Sequence, residues 1–245
     1  MVVSNKQRRK HRKSGRRTKR RKPRHSGGTA HTTTYPPDSI NTYISNVVYV
    51  NLDSRTDRRA QMEQELKIFH PEKVHRIPGI VPDILDIPHK NVALTQAHLN
   101  AVKLAKEKNW PNTLFLEDDS VWVNIEKAYP CFEKLVKEPY DVIMLGSHGP
   151  EYDKDTLRVK HATGGASYLV HQSHYDVFIG RLQSMIDSFV SGQHIEGANA
   201  VVFPPLQQEY KWFVVVPSLM KQLPGMSNRE QLHKNYTYLE VQPTS

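Results

Sequence analysis

Thr113-Leu114-Phe115-Leu116-Glu117-Asp118-Asp119-Ser120-Val121 is the stretch on which the reading of the fold turns. Three apolar side chains stop at three consecutive carboxylates, and the apolar character returns at Val121 and Trp122. Adjacent carboxylates repel one another, so the triplet calls for a cation or for solvent. Acids at the carboxyl end of a buried strand lie where open α/β sheets bind ligands. On extended backbone, residues two apart share a face, which pairs Glu117 with Asp119 and turns Asp118 the other way. Hard oxygen donors of this kind suit Mg²⁺ or Mn²⁺ that also holds substrate phosphates. The same triplet also reads as a solvated acidic turn.

Upstream, residues 44–52 read as a mostly apolar strand centred on Val47-Val48-Tyr49-Val50,. Asp53 or Ser54 is placed to cap a helix over 56–69, whose first turn carries Arg58 and Arg59 beside Arg55,. A helix start with guanidinium groups suits a nucleotide phosphate, and it equally reads as a charged helix start. A short strand over 73–80 precedes a Pro-rich loop with Pro82 and Pro88, then a helix over 95–108. His98 on that helix reads as a hydrogen-bonded structural histidine, since no second His or Cys stands beside it at metal-site spacing,.

Downstream, a helix over 125–137 and a strand over 140–146 lead into a polar excursion over 148–160. Gly164 and Gly165 open the next apolar segment, to Val170, and suit close approach of a ligand or another chain,. A helix over 173–190 ends near Asp187, and glycines then bracket His194 and Glu196. The last clear strand is 213–216. Strands alternating with helices of this length favour one α/β domain: a mixed, largely parallel sheet flanked by helices.

The charge is local. The first 25 residues hold 13 Lys or Arg and no acid, leaving 21 basic against 25 acidic residues in the remainder. The formal +9 therefore belongs to the tail, and the body is near neutral. Residues 1–34 read as a disordered basic tail and residues 35–245 as the functional domain. Such a tail suits polyanion or nucleic-acid contact by counterion release, or a nuclear address. Lone Cys131 excludes an intrachain disulfide and a Cys-based zinc site,. With no apolar core behind the first basic residues and no run long enough to span a bilayer, the expected location is intracellular, cytoplasmic or nuclear.

Taken in order, several segments resemble the glycosyltransferases of the collagen galactosyltransferase and lipopolysaccharide-biosynthesis type. Val48-Tyr49-Val50-Asn51-Leu52-Asp53 with Arg58 is similar to that family's first strand, nucleotide-side loop and arginine. Val92–His98, Leu114–Asp119, Gly164–Val170 and Val216-Pro217-Ser218-Leu219 with Gln222 match later motifs in the same order. The resemblance implies a GT-A-like nucleotide-sugar fold, a UDP-sugar donor, Mn²⁺ or Mg²⁺, and inverting transfer of galactose or glucose to an acceptor hydroxyl. The acceptor is left open between a protein, a lipid-linked saccharide and a glycan. Asn51, Asp53, Arg58, Asp118 and Tyr168 would face the nucleotide sugar, while Glu117 and Asp119 would orient or coordinate the metal–diphosphate.

The chain departs from the family where the general base is expected. Glu196, Asp187 and His194 are the candidates, with Glu196 favoured because glycines let its loop reach a cleft. The family's closing Ser-Asp is Ser227-Asn228 in this chain. A catalytically weak nucleotide-sugar scaffold and a polyanion-binding protein acting through its tail are the competing readings.

Overall fold

The computed structural model describes residues 37–192, 203–226 and 232–234. The junction of the basic tail with the body, at residues 34 and 35, lies outside the described residues. Six strands make the main sheet: β1 (Asn46–Asn51), β2 (Val74–Pro78), β3 (Asn112–Glu117), β5 (Val142–Tyr152), β6 (Val159–His171) and β7 (Trp212–Val214). Their order is β2-β1-β3-β6-β5-β7. β6 is antiparallel to β3 and β5, and the other neighbours are parallel, so the sheet is mixed and largely parallel. A two-stranded ribbon of β4 (Ser120–Trp122) and β8 (Met220–Gln222) stands beside it.

Alternation along the strands splits the core between two faces. In β3, Leu114 and Leu116 pack on one side and Phe115 on the other,. The Phe115 face takes α3 (Ile87–Glu107), α5 (Tyr175–Val190) and α6 (Phe203–Glu209). The Leu114 face takes α1 (Pro37–Tyr43), α2 (Thr56–Glu65) and α4 (Ile125–Lys137). Helices on both faces bury β1 and β3 almost throughout, which explains their near-continuous apolar runs,. Among the described residues, no helix is long and apolar enough to cross a membrane.

Two local expectations are corrected, and the polar excursion, read as a loop or ribbon, takes the ribbon form. α3 begins eight residues before the expected start at 95, because the Asp86 side chain accepts from the His89 backbone N–H at 2.9 Å and caps it,. Pro88 falls in the first turn, where its missing N–H costs nothing,. Neither Asp53 nor Ser54 caps α2: Arg55 holds that position and makes no side-chain cap. The polar excursion after His148 is an extension of the β5–β6 hairpin, broken by register shifts,.

Candidate functional site

β1 and β3 run side by side, with Val50 opposite Glu117, so Asn51 and the acid triplet emerge together at the carboxyl edge of the sheet. The strand alternation expected through Asp119 stops at Glu117, where β3 ends and a turn begins. That turn gathers Asp118 and Asp119 on one guanidinium. Arg58 Nη1 lies 2.7 Å from Asp118 Oδ1 and 3.3 Å from Asp119 Oδ2. Arg58 is delivered by the first turn of α2, on the connection leaving β1. Arg55 and Arg59 pair with Asp57 and Glu63.

Further polar groups complete the arrangement. Asn51, 1% exposed, donates from Nδ2 to Asp118 Oδ2 at 2.8 Å. Its own Oδ1 accepts from Arg76 Nε at 3.0 Å, and Arg76 also pairs with Asp53. Gln222 Nε2 donates to Asp119 Oδ1 at 3.2 Å, and Gln222 Oε1 lies 3.0 Å from His148 Nε2. A hydrogen-bonded line therefore runs from Asp53 through Arg76, Asn51, Asp118, Arg58, Asp119 and Gln222 to His148. Arg76 and His148 escaped the sequence reading. The available signal was a cation inside the short strand β2, aligned with Tyr49 of β1.

Glycine geometry secures one end of this line. A Cβ on Gly146 would meet the Met220 carbonyl oxygen at 2.3 Å, so only glycine lets β8 cross β5 there,. This crossing carries Gln222 to Asp119. At Gly164, with φ +85°, a Cβ would meet the His148 ring at 2.6 Å. The close approach to the backbone expected at Gly164, from a ligand or another chain, is made by the chain's own His148 ring.

The electrostatics are unbalanced. Asp118 and Asp119 are buried, and Arg58 is the guanidinium that bridges them. Burial first, and the Glu117 charge second, push the Asp119 carboxyl up to about 7, against the opposing pull of Arg58,. Glu117 Oε1 lies 3.8 Å from His98 Nε2. Tyr168 is buried in an aromatic cluster with Phe115, Phe178 and Phe203, and its hydroxyl meets His98 Nδ1 at 2.9 Å. It adjoins the site through His98.

Among the base candidates, Glu196 and His194 lie outside the described residues. Asp187 lies in the last turn of α5, where its carboxylate accepts from Gln183 Nε2 at 3.0 Å. Ser227 and Asn228 are also outside the described residues. Among the described residues, no group of three or more His, Cys, Asp or Glu side chains comes together to hold a metal. The donor chemistry nevertheless fits a hard divalent cation: the carboxylates are oxygen donors, and Arg58 brings one positive charge to the two acids it bridges. Mg²⁺ and Mn²⁺ sites commonly take one or two protein carboxylates and complete their shell with water and substrate phosphate.

No protein-family model matches this chain, and no curated protein matches it. Among solved structures, a glycosyltransferase involved in the glycosylation of the major capsid of PBCV-1 aligns with a TM-score of 0.50 at 13% identity. That alignment covers 76% of this chain and 95% of the other. The mannose-1-phosphate geranyltransferase from Thermus thermophilus aligns at a TM-score of 0.43 and 10% identity, over 71% of this chain and 73% of its own. A197 from STIV aligns at 0.40 and 10% identity, over 82% and 96%. The first of these carries the fold assignment, a GT-A-like α/β fold, as a distant structural likeness that defines no specific family.

Proposed function

We propose that the protein is a glycosyltransferase that moves a hexose, galactose or glucose, from a UDP-sugar to an acceptor hydroxyl with inversion. The observation that carries this reading is the Arg58–Asp118–Asp119 cluster at the carboxyl edge of β1 and β3, in a fold that a glycosyltransferase shares. Arg58 holds the nucleotide diphosphate, for which a planar guanidinium is suited. Asn51, Asp53 and Asp118 face the nucleoside side. Asp119 would ligate Mn²⁺ or Mg²⁺, with Glu117 orienting the metal–diphosphate. When bound, the cation would supply charge neutralisation for the departing UDP.

The chain's own contribution is placement. Asn51 fixes Asp118 and Gln222 fixes Asp119, which limits the reorganisation needed when charge develops on the leaving group,. Direct inversion also requires a base to take the acceptor's proton. Glu196, which lies between Gly192 and Gly197 in the sequence, is proposed for that role, with His194 and Asp187 as alternates. Asp187 is the weakest, because its carboxylate already accepts from Gln183 in its own helix.

The test is a donor screen on the full chain, reading UDP release from UDP-galactose, UDP-glucose and related sugars with Mn²⁺ or with EDTA. Metal-dependent release from one donor supports the reading. Absence of both release and metal-dependent UDP binding by calorimetry rejects it.

A further inference from the structure

Asn51 closes β1 as a buried residue, and both ends of its amide are engaged. Nδ2 donates to Asp118 Oδ2 at 2.8 Å and to the Arg55 carbonyl at 3.1 Å. Oδ1 accepts from Arg76 Nε at 3.0 Å. An amide has two orientations related by a half-turn, and these partners permit one. The Asp118 carboxylate, paired with Arg58, and the Arg55 carbonyl only accept, whereas the Arg76 guanidinium only donates,.

Strand register explains how Arg76 reaches this point. It stands opposite Tyr49 on the parallel neighbour β2, and Asn51 is two residues further along β1, on the same face as Tyr49,. There the planar guanidinium meets one residue twice, with Nε at the side-chain oxygen and Nη2 at the Asn51 backbone carbonyl, 2.9 Å away. A rigid fork suits such a pair better than a flexible ammonium does. Nη2 also pairs with the exposed carboxylate of Asp53. If the Asn51 amide turned over, its oxygen would stand 2.8 Å from Asp118 Oδ2. A buried carboxylate would then lose a donor and face a second acceptor,. Arg76 opposes that turn by giving Oδ1 its donor.

We propose that Arg76 is a positioning residue for the nucleotide: it fixes the Asn51 amide, which holds Asp118 in the orientation that receives the ligand. Asn51, 1% exposed and bonded at both ends of its amide, acts on the nucleotide through Asp118 and does not touch it. This inference rests on the nucleotide-sugar reading above and extends the binding machinery outward to β2.

Titration calorimetry with UDP and Mn²⁺ tests it on the full chain. Arg76→Leu should weaken UDP binding about ten-fold, and Asn51→Ala should weaken it at least as much. Because the two residues act in series, adding Arg76→Leu to Asn51→Ala should cost no more than about a further two-fold. Arg76→Lys, which keeps a donor without the fork, should recover part of the affinity. Losses that multiply in the double variant, or no recovery in Arg76→Lys, overturn the proposal. An Arg76→Leu effect that vanishes in Asp53→Ala but persists in Asn51→Ala also overturns it, since the effect would then run through the exposed ion pair.

Hydrogen exchange of side-chain amides in the wild type gives a check that needs no variant. With its protons on Asp118 and on the Arg55 carbonyl, the Asn51 NH₂ should exchange at least about ten-fold more slowly than that of an exposed asparagine,. Exchange at the exposed rate overturns the proposal even where Arg76→Leu fails to fold. A wild type that binds no UDP with Mn²⁺ rejects the nucleotide-sugar reading and this proposal with it. UDP binding that is indifferent to Arg76 rejects this proposal alone.

Discussion

Asp119→Asn should make the protein relatively more stable as the pH rises. In the folded chain the Asp119 carboxyl titrates at about 7, against an ordinary value of 3.8, because burial and Glu117 disfavour its charge. The folded state therefore binds the Asp119 proton more tightly than the unfolded state. Wild-type stability is full below the unfolded value and declines as the pH rises toward the folded one. Between pH 5 and pH 7 the folded chain keeps a proton that the unfolded chain has released, and the decline over that window is at most about 3 kcal/mol. Asparagine cannot ionise, so this decline disappears. The weakened contact to Arg58 and the altered Gln222 bond shift stability by nearly the same amount at every pH, and they drop out of the comparison. Urea unfolding of both proteins at pH 5, 6.5 and 8 in EDTA would read the difference. It should grow by about 2–3 kcal/mol in favour of Asp119→Asn between pH 5 and 8. A difference that stays flat, or grows in favour of the wild type, would refute the claim that Asp119 is a buried, under-compensated acid.

The other expectations concern the same framework. Arg58→Gln removes the bridging cation from two buried carboxylates and should cost about 3–5 kcal/mol at pH 8 by urea unfolding,; a loss below about 1 kcal/mol would mean that water already screens the cluster. Buried His174 is held at about 4 by desolvation, against an ordinary 6.5, so stability should fall as the pH drops from 6.5 toward 4, by at most about 3 kcal/mol,. His174→Gln should flatten that acid limb in thermal melts, and an unchanged limb would remove His174 as its cause. Gly146→Ala places a methyl group 2.3 Å from the Met220 carbonyl, so β8 must move and carry Gln222 away from Asp119. It should cost about 1–3 kcal/mol and weaken UDP binding, whereas unaltered binding would show that the Gln222 contact is dispensable.

The sheet was legible because burial on both faces leaves a strong trace: runs such as Val47–Val50 and Leu114–Leu116 suit strands covered by helices on either side,. Boundaries were less legible where one side chain outweighed composition. Asp86 turns a Pro-rich segment into the start of α3, and α6 hides Pro204 and Pro205 in its first turn, where proline is tolerated,. There Gln207, an apparently ordinary polar residue, clamps both backbone groups of Ala162 at 2.9 Å. The acid triplet was visible as chemistry but not as geometry. Period-two reasoning holds only while the backbone is extended, and the turn after Glu117 exchanges the pairing of Glu117 with Asp119 for that of Asp118 with Asp119. Arg76 and His148 were invisible for a further reason, since each acts through a partner distant in sequence, Asn51 for the one and Gln222 for the other. Local pattern thus located the carboxylates and Arg58, while the contacts that Arg76 and Gln222 add depended on strand register and on a ribbon crossing at a glycine. The triplet is thereby divided in its contacts: two acids are tied to Arg58, and Glu117 Oε1 lies 3.8 Å from His98 Nε2.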